Sequence, residues 1–499
     1  MIRKENAMGM TYRTARAIAF ASLALAAISA AHAEPASFPV ITHHEGVFNG
    51  EAVRYRALVE ETVIPNADGN PAFSFVTTAY IGEDAGERSA RPVVFLFNGG
   101  PTVPASWLHM GAFGPRRILP PARPADPVND PGAMADNPHT VLDVADLVFI
   151  DPPGTGFSRI LDETSTPEIQ SVPGDARAAS DFVIAWLQAH DRMDAPVFLI
   201  GESYGTIRAA AMTGLLHEQV NLEGVVLFGQ ALNMVETTQR ARNALSYATN
   251  LSALAAIAAY HGQADMDGLT LEAFIDEAEA FAMHEYLLAL VAGNTLDDDE
   301  ARLIADRLER YTGISAAYYL ANRLVISKPD FRRELLRDEG LILGVYDARY
   351  AGPAPEPGNP PSDPFGAVAA MVPVALQTHQ REFLGLNRPF EEYSFRGPSS
   401  AGWDWGRTGG MTGGPFADYQ HDIWIEQAMD ANPRFRLMVG TGIYDTTTTI
   451  GPARYLAAQA GYPRERITLR EYEGGHMAYT NEEALIAFTR DVRSFLTAH

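Results

Sequence analysis

Gly201-Glu202-Ser203-Tyr204-Gly205 sets a serine between glycines at the flanking alternate positions. The pentad follows a short apolar run, Val197 to Ile200, and precedes a run that fits a helix, Ile207 to Leu216. A serine on a sharp strand-to-helix turn keeps its hydroxyl accessible, and the next amide opens the helix, where it can bind an oxyanion. The expected chemistry is nucleophilic attack by Ser203. The competing reading is a tight turn that carries an ordinary serine. A serine nucleophile also needs a base, and the base needs an acid to orient it. On folds with such an elbow the chain order is serine, acid, histidine. His476, in Gly474-Gly475-His476-Met477, follows the last expected strand and precedes the last expected helix, so it is the candidate base. Asp445 closes the strand before it and is the candidate acid, against the alternative of a turn aspartate capping a helix near Pro452. Ser203 and Asp445 are 242 residues apart, Asp445 and His476 only 31. His43, His44 and His109 read as surface or packing residues.

Positioning such a triad takes a buried sheet. Pro92 to Phe97, Leu147 to Ile150, Val197 to Ile200, Val225 to Phe228, Leu437 to Val439 and Ile467 to Tyr472 are short apolar runs. Continuous rather than alternating runs suit strands covered on both faces, as in a parallel sheet. Ala72 to Tyr80 is rich in aromatic and β-branched residues and reads as a further strand. Helical patterns lie between the runs, at Asp175 to His190 and in a final helix capped by Thr480 or Asn481, with Ala484, Leu485, Phe488, Val492 and Phe495 as its stripe. The expectation is an α/β-hydrolase fold, a mostly parallel sheet flanked by helices. The strand series is interrupted from 232 to 418 by Ala-rich and acidic helical stretches such as Leu251 to Tyr260 and Leu271 to Leu290, with a Pro/Gly-rich loop at Gly352 to Gly366. The expected organisation is therefore a first core part at 34–231, a helical cap insertion at 232–418 and a second core part at 419–499. A lid of this kind excludes water and shapes a substrate pocket.

Four segments in order give a more specific signal. Phe97-Asn98-Gly99-Gly100-Pro101, Ile150-Asp151-Pro152-Pro153-Gly154-Thr155-Gly156-Phe157-Ser158, Gly201 to Gly205 and Gly474 to Met477 together resemble the motifs of the serine carboxypeptidase family, the cathepsin A-like peptidases. The resemblance implies that Ser203, Asp445 and His476 form the triad. It implies that the amides of Gly100 and Tyr204 form the oxyanion hole. It also implies that Asn98 and Glu202 bind the free carboxylate of the substrate's last residue. Two carboxyl groups meet in a shielded site only if one carries a proton, so Glu202 is expected to titrate high and the enzyme to favour acidic pH. The chain departs from the family pattern at Thr102 to Ser106, at Leu96 in place of a tryptophan, at Ala112 in place of a second glutamate, and in having no cysteines.

Composition narrows the alternatives. The 499 residues carry a formal charge of −24, spread along the chain, which disfavours nucleic acid as a partner. The absence of cysteine removes disulfides, thiolate zinc sites and a cysteine nucleophile. No metal or nucleotide cofactor is expected. Gly154-Thr155-Gly156 lacks the lysine of a phosphate loop, and the acidic run Asp297 to Glu300 reads as a helix cap. Arg3, Lys4, Arg13 and Arg16, the apolar run from Ala17 to about Ile28, and Ala31-His32-Ala33 form the three parts of a secretory signal over 1–33. Export to the periplasm or the medium, with no membrane anchor after cleavage, is the expectation. The leading function is a carboxypeptidase acting on peptides through an acyl-enzyme. An esterase or acyltransferase with the same triad is the alternative, and a non-catalytic exported binding protein is the third.

Overall fold

The structure, a computed structural model, describes residues 38–66, 68–83, 88–356, 358, 362–406 and 420–498. The signal segment 1–33 and the boundary at 418/419 lie outside the described residues. Nine strands carry the main sheet: β1 Val40–Phe48, β2 Glu51–Pro65, β3 Pro71–Gly82, β4 Val93–Phe97, β5 Asp146–Ile150, β6 Val197–Glu202, β7 Leu222–Phe228, β8 Arg436–Gly442 and β9 Ile467–Tyr472. Their order is β1-β2-β3-β5-β4-β6-β7-β8-β9, and the two-residue strand Arg159–Ile160 pairs with β3. From β5 to β9 every neighbouring pair is parallel, while β1, β2 and β3 form an antiparallel edge.

The continuous apolar runs are explained by burial on both faces. Phe95 and Phe97 of β4 join one core cluster with Leu199 and Val225, whereas Val94 and Leu96 join the other with Ile200 and Val226. Side chains alternate across a strand, so a strand covered on both sides needs apolar residues at every position. By contrast, β1 alternates between exposed and half-buried positions along its length, as befits an edge strand. Helices α1 Val172–Ala189 and α2 Tyr204–Leu216 cover the first face, through Phe182, Trp186, Ile207 and Met212. The last helix covers the second through Leu485, Phe488 and Val492. The Ser171 hydroxyl caps α1 at the Gly174 amide, and Asn481 caps the last helix at the Ala484 amide.

The insertion between β7 and β8 has two parts. Helices α3 Ala244–Tyr260, α4 Leu271–Phe281, α5 Asp298–Thr312 and α6 Lys328–Glu334 share a core cluster of their own. Asp297 caps α5, its carboxylate taking the Asp299 amide. Residues 365–404 behave otherwise. Phe365, Met371, Leu376 and Tyr393 belong to the core cluster of the main sheet's second face, Ser394 pairs with Gly156, and Asp404 pairs with Ser171. The helical body thus ends near the short strand Leu341–Leu343, and residues 365–404 lie on the hydrolase core. Within the stretch expected as a loop, Gly352 sits in a short strand paired with Leu341–Leu343, and Gly366 opens a helical turn. No helix among the described residues is long and apolar enough to cross a membrane.

Candidate active site

The elbow forms where β6 gives way to α2. Ser203 stands between them with φ 58° and ψ −127°, a backbone conformation rarely adopted by a residue with a side chain. The turn is so tight that a Cβ on Gly201 would lie 2.1 Å from the Gly205 carbonyl oxygen. The Ser203 amide donates to the Phe228 carbonyl at the end of β7 (3.0 Å), which ties the nucleophile to the neighbouring strand. Glu202 and Tyr204 are buried, while Ser203 between them is only partly so.

The acid and base meet at the same end of the sheet. Asp445, just beyond β8, is fully buried, and its Oδ2 lies 2.7 Å from His476 Nδ1. The imidazole packs beside Gly229, where a built Cβ would come 3.1 Å from Cε1. Gly229 follows Phe228, the residue that holds the Ser203 amide, so nucleophile and base share one corner. With Nδ1–H given to Asp445, Nε2 is left to take a proton. The Thr447 and Thr448 hydroxyls donate to the Asp445 carboxylate at 2.6 and 2.7 Å. Burial opposes the charge on Asp445, but the facing His476 and the two threonine hydroxyls outweigh it and hold the carboxyl below its usual range. Burial likewise opposes the imidazolium, yet the charge and hydrogen bond of Asp445, with Glu202 behind, raise His476 above its ordinary value.

Two segments of the insertion brace this corner. Lys328, at the start of α6, donates from Nζ to the carbonyls of Thr237 (2.9 Å) and Thr447 (3.1 Å). Burial lowers this ammonium to about 8, against the attraction of Asp445. The Tyr346 carbonyl accepts the His476 amide, and the Asp347 carboxylate, paired with Arg349, accepts the Gly475 amide.

The oxyanion loop leaves β4 and passes close to the nucleophile: a Cβ on Gly99 would lie 2.6 Å from the Tyr204 amide nitrogen and 2.9 Å from Ser203 Cβ. Neither the Gly100 nor the Tyr204 amide donates to an acceptor among the described residues. Arg208 holds the loop from below. Its guanidinium donates to the carbonyls of Asn98 and Pro101, both at 2.9 Å, and to the Asp175 carboxylate at 2.8 Å. Tyr204 donates its hydroxyl to the same carboxylate (3.0 Å). Further along, Asp151 accepts the Ala105 amide and the Tyr393 hydroxyl, which pins the atypical 102–106 segment.

Asn98 and Glu202 are also brought together. Asn98 Nδ2 donates to Glu202 Oε1 at 2.8 Å, while its Oδ1 accepts the Leu108 amide. Burial pushes the Glu202 carboxyl up to about 7, opposed by His476 and by the hydrogen bonds from Tyr479 and Asn98. Ala112 is buried and brings no polar group to Glu202; the second partner is Tyr479, whose hydroxyl donates to Glu202 Oε2 at 2.5 Å. Sequence reasoning missed Tyr479 and Arg208. His109, read as a packing residue, is buried, stacks on Phe149 and bonds the Tyr80 hydroxyl. Among the described residues no cluster of three metal-ligating side chains exists.

The arrangement is that of a serine acyl-transfer site with a neutral-leaning buried acid beside it. Residues 78–273 match the sequence model of the serine carboxypeptidase family, a span that includes Asn98, Gly100, Glu202, Ser203 and Tyr204. A comparison with curated protein sequences gives no match. Among solved structures the chain is similar to a prohormone-processing carboxypeptidase of Saccharomyces cerevisiae, Kex1(Δ)p, with TM-score 0.53 and 13% identity over 88% of this chain and 91% of that one. It also matches a putative aryl esterase from Burkholderia cenocepacia, with TM-score 0.32 and 12% identity over 87% and 97% of the two chains. The peroxisomal α/β-hydrolase Lpx1 of Saccharomyces cerevisiae matches with TM-score 0.35 and 9% identity over 89% of each chain. The likeness to the Saccharomyces carboxypeptidase concerns the fold. Residues 78–273 thus carry the likeness to the serine carboxypeptidase family, and the chain is built on an α/β-hydrolase fold.

Proposed function

We propose that the protein is a serine-type carboxypeptidase that releases the last residue of a peptide through an acyl-enzyme. The observation that carries this reading is Glu202, a buried carboxyl raised to about 7, held by Asn98 one residue before the nucleophile. A site for esters or acyl groups needs no such acid, because its substrate brings no charge there. A site for a free C-terminus needs a neutral donor to face an incoming carboxylate. In the reaction, His476 takes the Ser203 proton as Oγ attacks the scissile carbonyl, and the Gly100 and Tyr204 amides take the developing oxyanion. The imidazolium, steadied by Asp445, then protonates the leaving amine, and water repeats the sequence to free the acyl group. The three-part leader over 1–33 supports export, and we place the enzyme outside the cytoplasm on that ground.

The test compares an N-blocked dipeptide, its C-terminal amide and its methyl ester between acidic and alkaline pH. Glu202 must be protonated to receive the carboxylate, and its folded value is raised. Hydrolysis of the free acid is therefore expected to fall about tenfold per unit above roughly pH 7. Ester hydrolysis, which requires only neutral His476, should not fall in that range. Cleavage of esters without any cleavage of the free acid would overturn the carboxypeptidase reading and favour the esterase or acyltransferase alternative.

A further inference from the structure

We propose that Tyr479 is the positioning residue that orients the Glu202 carboxyl for the terminal carboxylate of a peptide, an inference that rests on the carboxypeptidase reading. Asn98 sets the direction of the network. Its Oδ1 is occupied by the Leu108 amide, so its Nδ2 is the end that faces the pair, donating to Glu202 Oε1 with the Tyr479 hydroxyl also in reach. Oε1 is thereby fixed as an acceptor, and a proton on Glu202 belongs on Oε2. Tyr479 is the group at Oε2. An amide N–H only donates, whereas a hydroxyl donates or accepts. With Glu202 ionised, the phenol donates to it. When Glu202 takes one proton from solvent, the pair holds two O–H hydrogens but needs only one between its oxygens. The other is left for an incoming acceptor. No other bond forms or breaks.

The phenol is built to stay in place and to stay protonated. Gly111 opens the seat for the ring: a Cβ there would lie 2.5 Å from Tyr479 Cε2. The rings of Phe228 and Phe488 flank it at 5.7 and 6.4 Å. Burial, with the Glu202 charge adding to it, holds the phenol well above its usual range, so Glu202 and not Tyr479 is the member that titrates. The other titratable groups that act on Glu202 are His476 and Asp445 from the two triad loops and Tyr346 from the insertion.

The experiment is Tyr479→Phe in the full-length enzyme, assayed with the blocked dipeptide and its methyl ester. Phenylalanine keeps the ring in its seat and removes only the hydroxyl; a thermal melt checks that the fold is retained. The hydroxyl favours the anion, so without it Glu202 should protonate more readily. The alkaline limb of kcat/KM for the free acid should move up by about one unit. The acid-to-ester selectivity should fall about tenfold, through KM rather than kcat. Gly111→Ala, which displaces the ring but keeps the hydroxyl, should show the same loss of selectivity. If Tyr479→Phe leaves both the limb and the selectivity as in the wild type, or lowers acid and ester hydrolysis equally with the limb unmoved, the inference falls and the carboxypeptidase reading stands. If the wild type itself shows no preference for the free acid, the failure lies with that reading instead.

Discussion

Ser203→Ala is expected to lower turnover of peptides and esters alike by about 10⁶-fold and to abolish labelling by a fluorophosphonate. The expectation follows from the corner at the ends of β6 and β7, where the Ser203 amide is tied to the Phe228 carbonyl and one imidazole is aligned by Asp445. Members of such a unit do not act additively, so losing one removes most of the effect of all three. The backbone makes a second prediction at the same residue. At φ 58° and ψ −127° a Cβ is strained, and alanine keeps that Cβ while glycine does not. Ser203→Gly should be as inactive as Ser203→Ala yet more stable to denaturant by about 1–3 kcal/mol. Equal stability of the two variants would show that the turn carries no strain, and persistent labelling of either would move the nucleophile elsewhere.

Arg208→Met is expected to damage the enzyme twice. Arg208 is about 1% exposed and shares a salt bridge with Asp175, which is itself buried. Removing one partner leaves a buried charge without its counterion, a cost of about 3–5 kcal/mol that denaturant unfolding would read. The same substitution releases the Asn98 and Pro101 carbonyls and lets the oxyanion loop drift from the nucleophile. The loss of one oxyanion donor lowers kcat by about 10²–10³-fold. The two effects separate in the double variant Arg208→Met with Asp175→Asn. Stability should return in large part, because no uncompensated charge remains, but kcat should not, because nothing replaces the two donors to the loop. Recovery of both would show that Arg208 serves stability alone.

These residues show what a sequence discloses and what it hides. Ser203, Asp445 and His476 are legible because each sits where a strand ends, and the strands are legible because burial on both faces demands unbroken apolar runs. Asn98, Gly100 and Glu202 are reached through motif resemblance, since nothing in their local pattern tells a loop asparagine from a ligand-binding one. Tyr479 gives no such sign. Its partner lies 277 residues away and its seat depends on Gly111, so its role exists only in three dimensions. Arg208 left one usable hint, a charged residue followed by Ala209, Ala210 and Ala211 on a helix that must pack against the sheet. The insertion reads as a single cap because its helices have a helical pattern throughout. The return of residues 365–404 to the core is set by pairings such as Ser394 with Gly156, which no local periodicity encodes.

The position of the insertion also sets a schedule. β7 and β8 are neighbours in the sheet, Gly224 opposite Arg436, although the whole insertion separates them along the chain. During synthesis the nucleophile elbow is complete long before its base exists, since His476 follows Ser203 by 273 residues. At about 5–20 residues per second that interval lasts some tens of seconds. Throughout it β7 is an open edge, and the helical body still lacks Tyr444 and Ile450, which complete its core cluster. The peptidase is thus born without its catalytic base and gains it only when β8 and β9 close the sheet.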